Sequence, residues 1–282
     1  MADLLLWTIA TRQDSMEREL TQLTHTIKTA GALALELSKQ GFEVHRKKDR
    51  SPVTTADLEV NRILHEMWET HFPEDGWLSE ESPDNPSRLD RERVWIVDPI
   101  DGTKAYVNRV PEFCISVGLV EKGAPILAAI FNPSTDELFT ACRGRGLRLN
   151  GKPVSPARPA DAIAQVMVNP WEFRRGRWVG LDGQVQCRPM YSIAHALALV
   201  AAGRMQATLT IEPENEWDLA AGVLLITESG GTVTDAEGDT FTFNQPTPRF
   251  RGVIAVAATA GEGLRPLLQT HADRARANTI TS

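Results

Sequence analysis

The chain has 282 residues, 42% of them hydrophobic and 24% charged, with a formal net charge of -7. This length suits one large domain or two modest ones sharing a core, and the balance is ordinary for a soluble globular protein. The basic run His45-Arg46-Lys47-Lys48 is too short to build the clustered face that counterion release on a nucleic-acid polymer needs, so a nucleic-acid scaffold is excluded while a small anionic substrate is not.

At the N-terminus, Leu4-Leu5-Leu6-Trp7 is too short for a membrane span and lacks a basic leader, so neither a membrane nor a signal peptide is expected. From Met16 to Lys39 the apolar residues Leu20, Leu23, Ile27, Ala30, Ala34 and Leu37 recur near one helical face, and Gly41 stops the pattern. A polar loop with Pro52 follows, then a second helix from Ala56 to Glu69. Pro73 to Asp90 reads as loop apart from the apolar Gly76-Trp77-Leu78, and Val94 to Val97 as a short buried strand. Between Phe113 and Val154, short apolar or alternating runs are separated by turn residues, including Asn150-Gly151, which argues for an antiparallel meander. The Pro- and Ala-rich stretch Pro153 to Ala160 marks a domain joint near Ala160, giving units 1–160 and 161–282. Beyond it, Ser192 to Gly203 and Trp217 to Gly231 read as helices ended by glycine. Gly231 to Asp235, Phe241 to Phe243 and Val253 to Ala258 read as strands.

The three cysteines, Cys114, Cys142 and Cys187, show no metal or redox spacing and fit reduced thiols of a cytoplasmic protein. The acids say more. Asp98 and Asp101 flank Pro99 directly after an apolar run, and Gly102 permits a sharp turn, so the two carboxylates converge. At about 4 Å they would repel by about 4 kcal/mol at an effective dielectric of 20, which asks for a proton or a cation between them. Oxygen ligands without a nearby histidine favour Mg²⁺ over zinc. A solvated pair of Asp-Pro and Asp-Gly turns is the plain alternative. The aspartyl-phosphate motif Asp-x-Asp-Gly-Thr is a poor match, because here the carboxylates are three residues apart. Glu80-Glu81 after Trp77-Leu78, Asp57 after Ser51–Thr55, and Asp218 after Trp217 add further acids. Each taken singly reads as a solvated loop or a helix N-cap.

Taken together, the blocks Trp95–Thr103 (WIVDPIDGT), Trp217–Gly231 (WDLAAGVLLITESGG), Ser79–Ser82 (SEES) and Ser51–Asp57 (SPVTTAD) resemble, in order, the signatures of the inositol monophosphatase superfamily of Mg²⁺-dependent, lithium-sensitive phosphatases. Ser79 stands where that family usually has glycine. The resemblance implies an α/β fold, an α+β layered sandwich of αβαβα type, with an antiparallel N-terminal sheet and a smaller mixed C-terminal sheet. It implies two or three Mg²⁺ per site. Glu80, Asp98 and the Ile100 carbonyl would bind the first; Asp98, Asp101 and Asp218 would bind the second. Thr103 and Asp57 would orient and activate water, with Glu80 assisting, and Asp218 would arrive from the second unit. Gly102 and Thr103 open what reads as a helix and would cradle phosphate, with Lys47, Lys104 and His195 as further substrate-lining candidates.

Within the superfamily, Lys47-x-Asp49, Lys104, Glu112-Phe113 and Pro213-x-Asn215-x-Trp217 resemble the 3'(2'),5'-bisphosphate nucleotidases, which convert adenosine 3',5'-bisphosphate to AMP. Ala196 stands where that branch often has a basic residue, and Lys47, Lys104, Arg109 or Arg188 would have to replace it. Inositol-1-monophosphatase and histidinol-phosphate phosphatase are the rival enzyme readings, and a metal-binding protein without catalysis the rival of another class. The expected partner is a small phosphorylated metabolite. The same family includes monomers and homodimers, and nothing in these residues chooses between them.

Overall fold

The computed structural model describes residues 2–47, 51–156, 163–181 and 183–280, with side chains between 16 and 277. The expected joint near Ala160 lies outside the described residues, as do Lys48 and Asp49. Helix α1, Ala2–Gln40, begins well before the Met16 start that periodicity marks. It ends at Gly41, whose φ of 111° few side chains tolerate. A ribbon of β1, Val44–Arg46, and β2, Pro52–Thr54, leads into α2, Thr55–His71. Leu23, Ile27, Ala30 and Ala34 of α1 and Ala56, Val60 and Leu64 of α2 are fully buried in one cluster, as the helical spacing predicts.

The first sheet has seven strands in chain order: β3 Gly76–Ser79, β4 Arg93–Asp101, β5 Cys114–Glu121, β6 Ala124–Asn132, β7 Glu137–Cys142, β8 Leu147–Leu149 and β9 Lys152–Pro153. Pairings from β4 to β9 are antiparallel, so the expected meander is present, while β3 joins β4 in parallel. The stretch read as loop therefore holds a strand and a 3-10 turn, Pro86–Asp90. Short α3, Thr103–Val107, links β4 to β5.

The second sheet is mixed. Its order is β11 Val185–Pro189, β10 Ala164–Val168, β12 Ala207–Thr210, β16 Val253–Val256 and β14 Thr232–Thr234, parallel across the first two pairings and antiparallel across the rest. Short α4, Pro170–Arg174, follows β10; α5, Ile193–Ala201, follows β11; α6, Glu216–Glu228, lies between a small ribbon of β13, Glu214–Asn215, and β15, Arg249–Phe250. The C-terminal α7, Leu264–Ile280, closes the described chain and is an element the apolar pattern does not predict. Phe241-Thr242-Phe243 is not a strand: its alternation reflects aromatic packing, with Phe241 stacked on Phe243 at a centroid separation of 5.9 Å and Phe250 meeting both edge-on at 4.8 and 5.3 Å.

Three buried clusters define the layers. Along β6, Leu127, Ala129 and Phe131 face α1 and α2, while Ala128 and Ile130 face α5 and α6. The α5–α6 layer shares its cluster with Met167, Val253 and Ala255 of the second sheet, whose other face packs on Leu264, Leu268 and Ala272 of α7. The result is helix, sheet, helix, sheet, helix. At Gly118 on β5 a Cβ would stand 3.1 Å from the Ala220 methyl, so α6 rests directly on the first sheet. Among the described residues, no helix is long and apolar enough to cross a membrane.

Candidate active site

Three residues of spacing should put Asp98 and Asp101 on opposite faces of a regular strand. They do not diverge, because β4 runs on through Pro99 with a bulge. Asp98 pairs with Ser116 and Asp101 with Cys114, three residues on one strand against two on the other. The extra residue restores the parity, and the interrupted ladder tolerates proline's missing N–H. This corrects the expectation of a short strand confined to Val94–Val97, since β4 runs from Arg93 to Asp101. Asp218 joins from the first turn of α6, and one carboxylate oxygen from each of the three lies within 4.8 Å of the others.

Local bonds hold each acid. Asp98 Oδ1 accepts from the Ile100 N–H at 3.0 Å. Asp101 Oδ2 accepts from Ser192 Oγ and the Ala194 N–H, both at 2.6 Å, at the start of α5. Asp218 Oδ2 accepts from the Asn215 N–H at 2.7 Å. Asp57 is bound in the same way: its Oδ2 accepts from Thr54 N at 2.8 Å and Thr54 Oγ1 at 2.5 Å. Asp57 and Asp218 are thus not N-caps, as single-residue reading suggests. They are the third helical residues, reaching back to caps Thr54 and Asn215. Thr103 Oγ1 lies 3.2 Å from Asp57 Oδ1 and 3.2 Å from the Ile100 carbonyl oxygen. Gly102, at φ 88°, starts α3; a Cβ there would sit 2.8 Å from the Glu112 carbonyl oxygen, so the turn requires glycine.

Asp98, Asp101 and Asp218 are buried, and none has a Lys, Arg or His partner among the described residues. Burial drives all three upward. Asp98 is pushed well above the usual carboxylate range, with Glu80, Asp101 and Asp218 adding to burial. Asp218 behaves likewise under Asp101 and Glu80. Asp101 reaches about 7, because the Ser192 and Ala194 bonds oppose its burial. Burial also raises Asp57, against the Thr54 bonds. Three buried carboxylates facing one another without a counter-charge are a donor set for a hard divalent cation. Glu80 lies beside this trio rather than in it.

Lys47, expected to line the substrate, is engaged: its Nζ stands 2.6 Å from Glu80 Oε1 and 2.5 Å from Glu81 Oε1. Burial works against its charge, but the two carboxylates outweigh it and raise its pKa. Lys104, Gly102, Thr103 and Ile100 line the open mouth of the site with Glu80. His195 does not fit its expected place. It is 5% exposed on α5, lines neither cavity at the acid cluster, and burial lowers it to about 4. The helix that carries it is apolar on nearly every side, so no face of it was left for the surface. Ser192 and Glu214 also belong to the site, without a motif of their own in the sequence. Glu214 lines both cavities from a variable position of the Pro213-x-Asn215-x-Trp217 element.

The description "Inositol monophosphatase family" matches residues 16–273 of the chain. An inositol-1-monophosphatase of Rhizobium meliloti is 39% identical over 208 residues, covering 71% of this chain and 77% of the relative. The crystal structure of the extragenic suppressor protein suhB from Bartonella henselae superposes with a TM-score of 0.76 at 28% identity, covering 90% of this chain and 98% of that one. An IMPase of Thermotoga maritima, at 24% identity, shares the fold with a TM-score of 0.79 over 94% of this chain and 99% of its own.

Proposed function

The chain belongs to the inositol monophosphatase family, a family of phosphoric monoester hydrolases, and from that premise we propose that it is a Mg²⁺-dependent, lithium-sensitive phosphatase of a small phosphorylated metabolite. The observation that carries this reading is the trio Asp98, Asp101 and Asp218, buried and within 4.8 Å of one another with no salt bridge to a cationic side chain among the described residues.

Asp98, Asp101, Asp218, Glu80 and the Ile100 carbonyl would hold the metal ions. When bound, Mg²⁺ supplies charge neutralisation at the phosphate and the leaving oxygen and acidifies water. The protein's own residues do the rest. Thr103 Oγ1 has one proton, and Asp57 Oδ1 is the oxygen in reach that Thr54 leaves free to take it. A water held by Thr103 Oγ1 passes its proton to that oxygen as the threonine proton moves to Asp57 Oδ1. Burial, by raising Asp57, makes it the stronger base. Oxygen attacks phosphorus, the ester P–O bond breaks, and the leaving alkoxide takes a proton from solvent water as Asp57 Oδ1 returns the proton it received to solvent. The start of α3 at Thr103 and Lys104 offers amides to the phosphate oxygens.

A monophosphate such as inositol 1-phosphate, the substrate in the name of the Rhizobium relative, needs nothing further. Adenosine 3',5'-bisphosphate is the second reading, favoured by Lys104 at the mouth. It has less support from Lys47 and Arg188, which face Glu80, Glu81 and Glu112. A cytoplasmic setting is supported by three cysteines that form no disulfide. The test is phosphate release from 4-nitrophenyl phosphate with and without Mg²⁺; no release under any divalent ion would leave a metal-binding protein without catalysis.

A further inference from the structure

Glu80 reaches the mouth of the acid site from a turn, Ser79–Ser82, whose central residues are Glu80 and Glu81. The backbone bond that closes this turn, from the Ser82 N–H to the Ser79 carbonyl oxygen, is 3.5 Å long, at the limit of a hydrogen bond. Side chains do firmly what that bond does weakly. The hydroxyl of Ser79, a buried residue, accepts from the Glu81 N–H at 3.3 Å and donates to Asn61 Oδ1 at 2.7 Å. Asn61 Nδ2 donates to Ser82 Oγ at 3.1 Å, and Trp77 Nε1 donates to the same oxygen at 3.2 Å. One amide on α2 therefore grips both ends of the turn, the first with its acceptor and the second with its donor. Lys47 joins the carboxylates of Glu80 and Glu81, and Asn61 the ends of the backbone that carries them.

Asn61 lies one helical turn beyond Asp57, on the same face of α2. Asp57 meets Thr103, and Asn61 meets the Glu80 turn, so one rigid helix sets Glu80 against the pair that moves the proton. A carboxylate on a loose turn must lose backbone and rotamer freedom when a cation binds, and a turn already fixed has little left to lose. We propose that Asn61 is a positioning residue for the first Mg²⁺: by bracketing Ser79 and Ser82 it holds Glu80 ready for the ion. The Ser79 hydroxyl makes this grip possible. A glycine there, as in the signature the segment resembles, would offer Asn61 nothing to hold at that end. The proposal rests on the reading of Glu80 as a metal ligand.

The experiment is a calorimetric Mg²⁺ titration of the full chain as wild type, Asn61→Leu, Glu80→Gln and the double variant, with melting temperatures in EDTA measured alongside. Asn61→Leu should weaken Mg²⁺ binding about tenfold, the scale of one or two lost hydrogen bonds, and Glu80→Gln should weaken it more. Added to Glu80→Gln, Asn61→Leu should change the affinity by less than about twofold, because a residue that acts through Glu80 then has nothing left to position. A lower melting temperature with Mg²⁺ affinity unmoved, or an Asn61→Leu effect that adds in full to Glu80→Gln, makes Asn61 a structural residue only and overturns the proposal. Ser79→Ala removes the bridging hydroxyl and leaves α2 unchanged; it should weaken Mg²⁺ binding in the same direction, and it decides the question if Asn61→Leu does not fold. If Glu80→Gln binds Mg²⁺ as the wild type does, the metal reading of Glu80 fails and the proposal falls with it.

Discussion

Replacing Asp98 by Asn should make the protein more stable without metal and less responsive to it. Asp98 faces Asp101 and Asp218 with carboxylate oxygens within 4.8 Å, and each such pair repels by about 3 kcal/mol at an effective dielectric of 20. Protonation sets a ceiling: neutralising an ordinary carboxylate at pH 7.5 costs about 5 kcal/mol. The strain relieved by Asn therefore falls between about 3 and 5 kcal/mol, and the Asn Oδ1 keeps the bond from Ile100 N–H. At roughly 2 °C per kcal/mol for a chain this long, the variant should melt roughly 6 °C or more above the wild type in a chelator. Asp98 binds its proton more tightly folded than unfolded, because burial and Glu80, Asp101 and Asp218 raise it. Wild-type stability in chelator should therefore fall relative to the variant as pH rises, by at most about 1.4 kcal/mol per unit. In Mg²⁺ at a hundred times its dissociation constant the wild type should gain about 2.7 kcal/mol and the variant little, with turnover abolished in the variant. Differential scanning fluorimetry in EDTA and in Mg²⁺ reads all of this. A variant that melts below the wild type in EDTA would refute the mutual repulsion on which the metal assignment stands.

Thr103→Val and Asp57→Asn should each lower kcat by about 10² or more, with the metal-dependent rise in melting temperature retained, as expected for groups that move a proton. Lithium at millimolar concentration should inhibit, and a flat activity curve would count against the carry-over from the family. His195 is held neutral by burial, down to about 4, against about 6.5 when unfolded. Its contribution is complete above pH 6.5 and is lost as pH falls toward 4, by about 3 kcal/mol at most. His195→Leu should flatten that acid limb in chemical denaturation. Gly222→Ala should destabilise by about 1 to 3 kcal/mol, since its Cβ would come within 2.4 Å of Leu197 Cδ1 where α5 and α6 touch; a neutral outcome in urea melts would mean the helices can part freely.

The parts of the site that were legible in the chain were those where local chemistry is strict. Gly102 and the acids of the DPIDGT block admit few alternatives, and the meander announces itself through Asn150-Gly151 and its neighbouring turns. Helices with one wet face, such as α2, show their period. What escaped depends on distant residues. The Asp98–Asp101 parity is set by pairing with Cys114 and Ser116 on another strand. Thr54 and Asn215 take the cap positions because both neighbours, Asp57 and Asp218, are drawn back into the site. Phe241 and Phe243 alternate like a strand, but Phe250 claims them. Lys47 reads as a free cation until β3 brings Glu80 and Glu81 beside it. The second sheet was only half visible, because β10, β11 and β12 are short and the apolar spacing Leu264, Leu268, Ala272, Ala275 lies in an otherwise charged segment.

The middle helical layer carries a consequence for how this protein is made. Helix α6 is buried almost around its full circumference, with one sheet above and another below, so it has no stable existence apart from both. During synthesis the first sheet emerges with its inner side uncovered and waits for a segment more than sixty residues further along. Asp218 rides in on that same helix. Sealing the nascent hydrophobic surface and completing the ion cage are therefore a single event, and a polypeptide interrupted before that point is left with neither a finished interior nor a working catalyst.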